Sequence, residues 1–164
     1  RTLLDIGGQD SKAIGVDPWS RRVTNFRMND KCAAGTGRFL EVMAERLGLD
    51  MERMIQLALD AKEALEISSV CTVFAETEVV SMVAQGKPIG EILRGLHMAV
   101  INRVYPMLRD VGIKPDVVMT GGVAKNKAIV RLLEDRLKLK VFVPPDPQLT
   151  GALGAALIAM NTFD

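Results

Sequence analysis

The last third of the chain alternates strands and helices, and this alternation constrains the fold more than any other feature. "PDVVMTGG" and "KVFVP" have the apolar, β-branched composition of strands, and each precedes a stretch with helical periodicity, "AKNKAIVRLLEDRL" or "LTGALGAALIAM". Strands separated by a helix pair in parallel through right-handed crossovers. The sequence therefore predicts an α/β fold whose second half contains a parallel sheet.

The first thirty residues read as a three-stranded meander. "RTLLDIG", "SKAIGVD" and "RRVTNFRMN" are short apolar or alternating runs, and turn residues separate them at Gly7-Gly8 and at Asp17-Pro18. Short turns between consecutive strands favour antiparallel pairing. We expect this meander to join the parallel strands in one sheet.

The middle of the chain is predicted to be mainly helical. In order, we expect a helix over "TGRFLEVMAERLG" closed by Gly48, a second helix capped by Asp50, an extended stretch "ISSVCTVF", a helix over "AETEVVSMVAQG", and a long helix from about Ile89 to Val111 with a kink at Pro106. The whole plan is βββα–helical insertion–βαβα, with the insertion over about residues 49–112. This is the plan of a ribonuclease-H-like half-domain spanning residues 1–164.

Composition excludes several classes of function. The formal net charge is +1 and aromatic residues make up 4%, which argues against a nucleic-acid partner. No apolar run approaches the roughly 18 residues of a membrane span, and the first residues do not resemble a signal peptide. We therefore expect a cytoplasmic protein whose two cysteines are thiols or ligands.

Three glycine-rich turns follow strands or open helices: "DIGGQDSK", "CAAGTGRF" and "MTGGVAKN". Glycine lets backbone N–H groups approach an anion closely, and a helix N-terminus adds a favourable dipole. Asp5 and Asp10 are suited to hold Mg²⁺, and Gln9 to orient a water molecule. Lys12 either neutralises phosphate charge or is an ordinary surface lysine. Neither the P-loop motif nor the dinucleotide-binding fingerprint is present.

Together with "SSVCTVFAETEVVS" and "PQLTGALGAAL", these turns resemble the activators of 2-hydroxyacyl-CoA dehydratases and the ATP-binding subunits of benzoyl-CoA reductase. That family belongs to the superfamily of actin, sugar kinases and heat-shock ATPases. The resemblance implies an ATPase that couples hydrolysis to one-electron transfer in anaerobic CoA-ester metabolism. It also implies a dehydratase or reductase component as electron acceptor, and ferredoxin or flavodoxin as donor.

The resemblance assigns roles to individual residues. Gln9 and Asp10 would be catalytic, orienting water and Mg²⁺. The residues implied to contact ATP or ADP and Mg²⁺ are Asp5, Gly7, Gly8, Lys12, Gly35, Thr36, Gly37, Gly121, Gly122, Val123, Asn126 and Gly151. Gly154 matches the same helix start as Gly151.

Cys32 and Cys71 each precede a predicted helix, where the helix dipole stabilises a thiolate. The residues themselves leave three alternatives open: inert buried thiols, a disulfide, or metal ligands. A [4Fe–4S] cluster needs four thiolates, which a two-fold dimer would supply. The resemblance implies this last arrangement, with one cluster held between the two subunits of a homodimer.

The family also has an N-terminal half with a glycine–aspartate–glycine–serine phosphate hairpin, which this chain lacks. Two other functions therefore remain as hypotheses: a nucleotide-binding or dimerisation module without turnover, and a sugar-kinase-like half. His97, the one histidine, is predicted to be a helix-surface or core residue rather than a catalytic base.

Overall fold

A computed structural model describes residues 1–68 and 71–162. Its centre is a five-stranded mixed sheet in the order β3-β2-β1-β4-β5. The strands are β1 (Thr2–Ile6), β2 (Ser11–Val16), β3 (Val23–Asn29), β4 (Val117–Thr120) and β5 (Val141–Phe142). The first three strands pair antiparallel, and β1, β4 and β5 pair in parallel. Both the predicted meander and the predicted parallel strands are confirmed.

The described residues form six α-helices and one short 3₁₀ helix. The α-helices are α1 (Gly37–Arg46), α2 (Met51–Asp60), α3 (Thr72–Ala84), α4 (Ile89–Val111), α5 (Lys127–Leu137) and α6 (Thr150–Thr162), and the 3₁₀ helix covers Gly122–Lys125. The long helix has the predicted bounds and continues through Pro106. Asp50 caps α2 as predicted, because its carboxylate accepts a hydrogen bond from the backbone N–H of Arg53 at 2.7 Å.

The core lies where α4 packs between the sheet and helices α2 and α5. On β1, Leu4 and Ile6 are completely buried, and the neighbouring residues are only half-buried. Helix α4 buries one residue or more in nearly every turn, including Leu93, Leu96 and Val100. Burial of this apolar stripe fixes α4 against the sheet, and α4 in turn positions the elements that surround the site described below.

One predicted element is wrong in part. The stretch "ISSVCTVF" was expected to be extended, but Cys71 is the N-cap of α3 and the helix begins at Thr72. Ser69 and Val70, in the same stretch, lie outside the described residues. Val73 and Phe74 have strand-type side chains that remain exposed, whereas Ala75 and Val79 are buried one helical turn apart. Burial at helical spacing therefore overrides the local β propensity.

The helix predicted over "AKNKAIVRLLEDRL" is also divided. Asn126 leaves the helical conformation and caps α5, so the residues before it form the separate 3₁₀ turn. An asparagine side chain competes well for backbone N–H groups, which favours a helix start over a helix interior.

Within the described ranges, none of the helices combines the length and the apolar character needed to cross a membrane.

Candidate nucleotide-binding site

Backbone hydrogen bonds join the first glycine turn to the start of α1. The N–H of Gly37 donates to the carbonyl of Gly7 at 2.8 Å, and the N–H of Arg38 donates to the carbonyl of Gly8 at 2.9 Å. A Cβ atom at Gly37 would lie 3.2 Å from the Gly7 oxygen and 3.0 Å from Val123 Cγ2. Both distances are shorter than an ordinary van der Waals contact, so the close approach of the two segments favours glycine at this position.

The third glycine turn contacts the end of β1. Gly121 has a positive φ of 84°, and its N–H donates to the carbonyl of Pro147 at 2.8 Å. A Cβ atom there would lie against the backbone of Ile6, 2.6 Å from its carbonyl carbon. Glycine is needed at position 121 both for its conformation and for the space.

The three segments enclose a cavity of about 280 Å³. Its wall combines glycine backbone, an apolar side and a polar side, an arrangement typical of small-molecule sites. The lining residues are Gly8, Gly37, Leu40, Glu41, Met51, Ile55, Gly122, Val123, Lys125, Asn126 and Gln148. The ammonium of Lys125 donates to Gln148 Oε1 at 2.6 Å, which links two parts of the polar side.

A charged cluster lies beside the Gly7-Gly8 turn. Lys12 Nζ is 2.7 Å from Asp10 Oδ1 and 3.8 Å from Asp5 Oδ1. Thr120 donates its hydroxyl to the other oxygen of Asp5 at 2.6 Å. Each side chain of the two ion pairs is about a third exposed, so the pairs are screened and contribute little stability. The cluster gathers two carboxylates at the end of β1.

The predicted site residues fall into three groups. Gly8, Gly37, Gly122, Val123 and Asn126 line the cavity. Asp5, Gly7, Asp10, Lys12 and Gly121 lie in the adjoining turns and strand ends, and Gln9 is an exposed turn residue.

Gly35, Thr36 and Gly151 lie elsewhere. Gly35 has a φ of 94°, and a Cβ atom there would be 2.6 Å from Arg103 Cγ on α4. The buried Thr36 hydroxyl donates to the carbonyl of Ala33 at 2.7 Å. Gly151 is exposed in the first turn of α6 and does not belong to the cavity wall described above.

The backbone amides at the start of α1 have partners within the protein. The N–H groups of Thr36, Gly37 and Arg38 donate to the carbonyls of Ala33, Gly7 and Gly8. The amides of Gly37 and Arg38 therefore join α1 to the Gly7-Gly8 turn, and the Thr36 amide closes its own turn.

Residues 1–159 match the BadF/BadG/BcrA/BcrD ATPase family. The chain belongs to this ATPase family. An activator of lactoyl-CoA dehydratase from Anaerotignum propionicum is 52% identical over 159 residues, covering 97% of this chain and 61% of the relative. The chain therefore spans about 60% of the length of the curated relatives it matches.

Solved structures agree with this family and with its fold. The activator of the 2-hydroxyisocaproyl-CoA dehydratase from Clostridium difficile, with bound ADPNP, superposes with a TM-score of 0.92 at 46% identity, covering 99% of this chain and 60% of that one. MreB 5 of Spiroplasma citri, bound to AMPPNP, superposes with a TM-score of 0.59 at 13% identity, covering 99% and 53%. The second likeness concerns the fold alone, and it confirms the predicted actin-like α/β ATPase fold.

In this member of the ATPase family, the two cysteines precede helices α1 and α3 and form no disulfide. Cys32 is half-buried in the loop before α1, where the buried Asn29 amide donates to its carbonyl at 2.9 Å. Cys71 is exposed as the N-cap of α3. Across residues 1–68 and 71–162, no three His, Cys, Asp or Glu side chains are grouped as a metal site.

Several cavity residues were missed by sequence reasoning. Met51 and Ile55 lie on α2, where their helical spacing resembles that of core residues, and both are half-buried. Lys125 and Gln148 were inside recognised motifs, but nothing in their spacing indicated the hydrogen bond between them. The packing of α2 beside the glycine turns brings Met51 and Ile55 into the cavity wall, and only the folded structure brings Lys125 and Gln148 together.

Proposed function

We propose that this chain binds and hydrolyses ATP as part of an activator that passes one electron to a 2-hydroxyacyl-CoA dehydratase or a related CoA-ester reductase. The observation that carries the proposal is the cavity where the glycine turns after β1 and β4 meet the start of α1. Family membership and the names of the relatives support the reaction and the partner class.

The cavity suggests how a nucleotide lies. Leu40, Met51, Ile55 and Val123 offer an apolar surface for a purine. Glu41, Lys125 and Gln148 offer polar groups for the ribose. The Gly8 and Gly37 end, beside the carboxylates of Asp5 and Asp10, would face the phosphates. A base against apolar side chains and phosphates against glycine backbone is the distribution expected for ATP.

The charged cluster would serve hydrolysis. Asp5 and Asp10 would hold the hydration shell of Mg²⁺, and the exposed Gln9 would orient the attacking water. Lys12, paired with both carboxylates, would keep them in place and limit their mutual repulsion. Water would attack the γ-phosphorus and ADP would leave.

The cysteines fit half of the ligand set of an iron–sulfur cluster. Cys71 is the N-cap of α3, and Cys32 lies in the loop four residues before Thr36, the N-cap of α1. One chain provides two thiols, and a second copy related by two-fold symmetry would provide the other two. When bound, a [4Fe–4S] cluster accepts and releases one electron, with ferredoxin or flavodoxin as the donor we propose.

We also propose that the described fold is one half of a duplicated fold, with α2 to α4 as its helical insertion, in a cytoplasmic homodimer. The relatives are longer than this chain. Helix α6 exposes Leu153, Leu157 and Met160, each by more than half, and this apolar surface suits packing against a further segment.

Calorimetric titration with ADP and with a non-hydrolysable ATP analogue tests nucleotide binding. Ile55→Gln places an amide in the apolar wall, and Leu59→Gln is the matched control one turn along α2, because Leu59 is also half-buried but is not a cavity residue. We expect Ile55→Gln to weaken binding about tenfold and Leu59→Gln to leave it unchanged. Equal affinity of both variants would contradict the proposed cavity.

Hydrolysis is measured as phosphate release, first by the chain alone and then after addition of the segment of a relative that precedes the region matching this chain. Activity that Asp10→Asn abolishes supports the ATPase. Binding without turnover in both conditions supports the module without hydrolysis.

Anaerobic reconstitution with iron and sulfide tests the cluster. We expect about four irons per dimer in the wild type, a visible absorption band, and loss of both in Cys32→Ser and in Cys71→Ser. Ser81→Ala, an exposed position on the same helix as Cys71, keeps both thiols and should keep the cluster. Iron retained by a double Cys→Ser variant would exclude these cysteines as ligands.

A further inference from the structure

His97 is completely buried on α4 and makes hydrogen bonds with both ring nitrogens. Its Nδ1 lies 2.7 Å from the carbonyl oxygen of Leu93. Because a carbonyl only accepts, Nδ1 carries a proton. Burial lowers the pKa of His97, so the ring is neutral near pH 7 and Nε2 is an acceptor.

The Nε2 acceptor fixes the orientation of the Asn126 amide. Asn126 Nδ2 is 3.1 Å from His97 Nε2 and donates to it. The other end of the amide, Oδ1, accepts from the N–H groups of Ala128 at 3.0 Å and Ile129 at 3.1 Å. A flipped amide would direct an oxygen at the Nε2 lone pair and an NH₂ at two N–H donors. The native orientation is therefore the one that satisfies His97 Nε2, both ends of the Asn126 amide and the two backbone N–H groups.

Asn126 also belongs to the wall of the nucleotide cavity. Its side chain caps α5, and its backbone N–H donates to the carbonyl of Val123 at 2.9 Å. The 3₁₀ turn between Gly122 and Lys125, which supplies three other wall residues, therefore ends on Asn126. The position of this turn depends on the cap.

We propose that His97 is a positioning residue for nucleotide binding: it holds the Asn126 amide and thereby joins helix α4 to the adenosine side of the cavity. The inference rests on the proposed nucleotide function. The chain of contacts runs from Leu93 through the His97 ring to Asn126 and on to the cavity wall. A displacement of the wall is therefore transmitted to α4.

Because the chain contains one histidine, the ring can be observed directly. In ¹⁵N-histidine-labelled protein, long-range ¹H–¹⁵N spectra at neutral pH should show the Nδ1–H tautomer. Asn126→Asp keeps an acceptor for the α5 amides but sets a carboxylate against Nε2, which should raise the pKa of His97 by about one unit or more. Arg94, the charged neighbour that lowers this pKa, is unchanged in the variant.

Asn102→Asp is the matched control, because Asn102 is an exposed residue of the same helix. It adds the same charge and should leave the His97 titration unchanged. An Nε2–H tautomer in the wild type, or the same His97 titration in Asn126→Asp and in Asn102→Asp, would overturn the proposal.

Calorimetry with ADP provides the second readout. His97→Leu removes the acceptor and should weaken ADP binding on the order of tenfold. His97→Gln can restore it, since a glutamine carbonyl accepts from Asn126. Val100→Ala, a buried change one turn along α4, controls for lost packing and should bind ADP normally.

Wild-type affinity in His97→Leu would overturn the proposal. If the wild-type chain binds no ADP, the proposed function fails, and His97 then has no role in nucleotide binding; the tautomer and titration still measure the contact with Asn126.

Discussion

Replacement of Gly121 by alanine should be among the most destabilising single-methyl changes in this protein. The residue follows β4 with a φ of 84°, and a Cβ atom would meet the main chain of Ile6 at its carbonyl group and, at 3.0 Å, its nitrogen. The obstacle is backbone in the central strand of the sheet, which cannot rotate aside as a side chain could.

Two contributions make up the expected loss. At a φ of 84° and a ψ of 174°, backbone angles that are essentially restricted to glycine, alanine costs on the order of 1–2 kcal/mol. A Cβ atom 2.6 Å from the Ile6 carbonyl carbon is about 1 Å inside an unstrained contact. Displacement of β1 to relieve it adds roughly 2–3 kcal/mol, the upper part of the range for overpacking. The free energy of unfolding should therefore fall by about 3–5 kcal/mol.

Gly112→Ala separates the two contributions. Gly112 has a φ of 82°, and a Cβ atom there would have no neighbour within 4 Å. Its ψ of 104° likewise lies outside the left-handed α region, and this variant should lose only the conformational part, on the order of 1–2 kcal/mol. Urea unfolding followed by circular dichroism measures both variants, with similar m-values as the condition for comparison. Equal losses for Gly121→Ala and Gly112→Ala would refute the steric argument.

Three further results are expected. Gly37→Ala brings a methyl group against Val123 Cγ2 and the Gly7 carbonyl at the start of α1, so ADP affinity in calorimetry should fall about tenfold or more. Gly48→Ala, with open space around it, should bind ADP normally. Asp50→Ala removes the cap of α2 and should lower the free energy of unfolding by about 1 kcal/mol in urea titrations, whereas Asp50→Asn should lose little. Burial lowers the pKa of His97, so as the pH falls below about 6.5 the unfolded chain takes up a proton before the folded chain does. The contribution of His97 to the free energy of unfolding is therefore complete above that pH and is lost as the pH falls toward the pKa in the folded state. In urea titrations, the free energy of unfolding should depend less steeply on pH in His97→Leu than in the wild type.

The order of elements could be read from the sequence because it depends on local patterns. Apolar runs, β-branched residues and turn glycines predicted the meander and the parallel strands, and helical periodicity predicted α4 from Ile89 to Val111. Asp50 could be recognised as a cap because capping involves only the next three residues. The family followed from five motifs in order.

The contacts within the site could not be read in this way. Met51 and Ile55 have the spacing of core residues, and only the docking of α2 beside the glycine turns makes them cavity wall. Cys71 begins a helix, although the residues around it favour a strand, because Ala75 and Val79 are buried on one face. Whether a residue lines the cavity or begins a helix depends on which surfaces of the helices and strands pack together in the folded protein.

By itself the sequence determined the mixed α/β architecture and the family to which the chain belongs. It also predicted a nucleotide site at Gly7, Gly8, Gly37, Gly121 and Gly122. Only the tertiary structure decided that the amides of Gly37 and Arg38 join the start of α1 to the turn after β1, and that Asn126 is hydrogen-bonded to both α4 and α5. The reason is physical. Conformational preferences act within a few residues, whereas hydrogen bonds such as that between His97 and Asn126 connect groups that the chain brings together only when its core has formed.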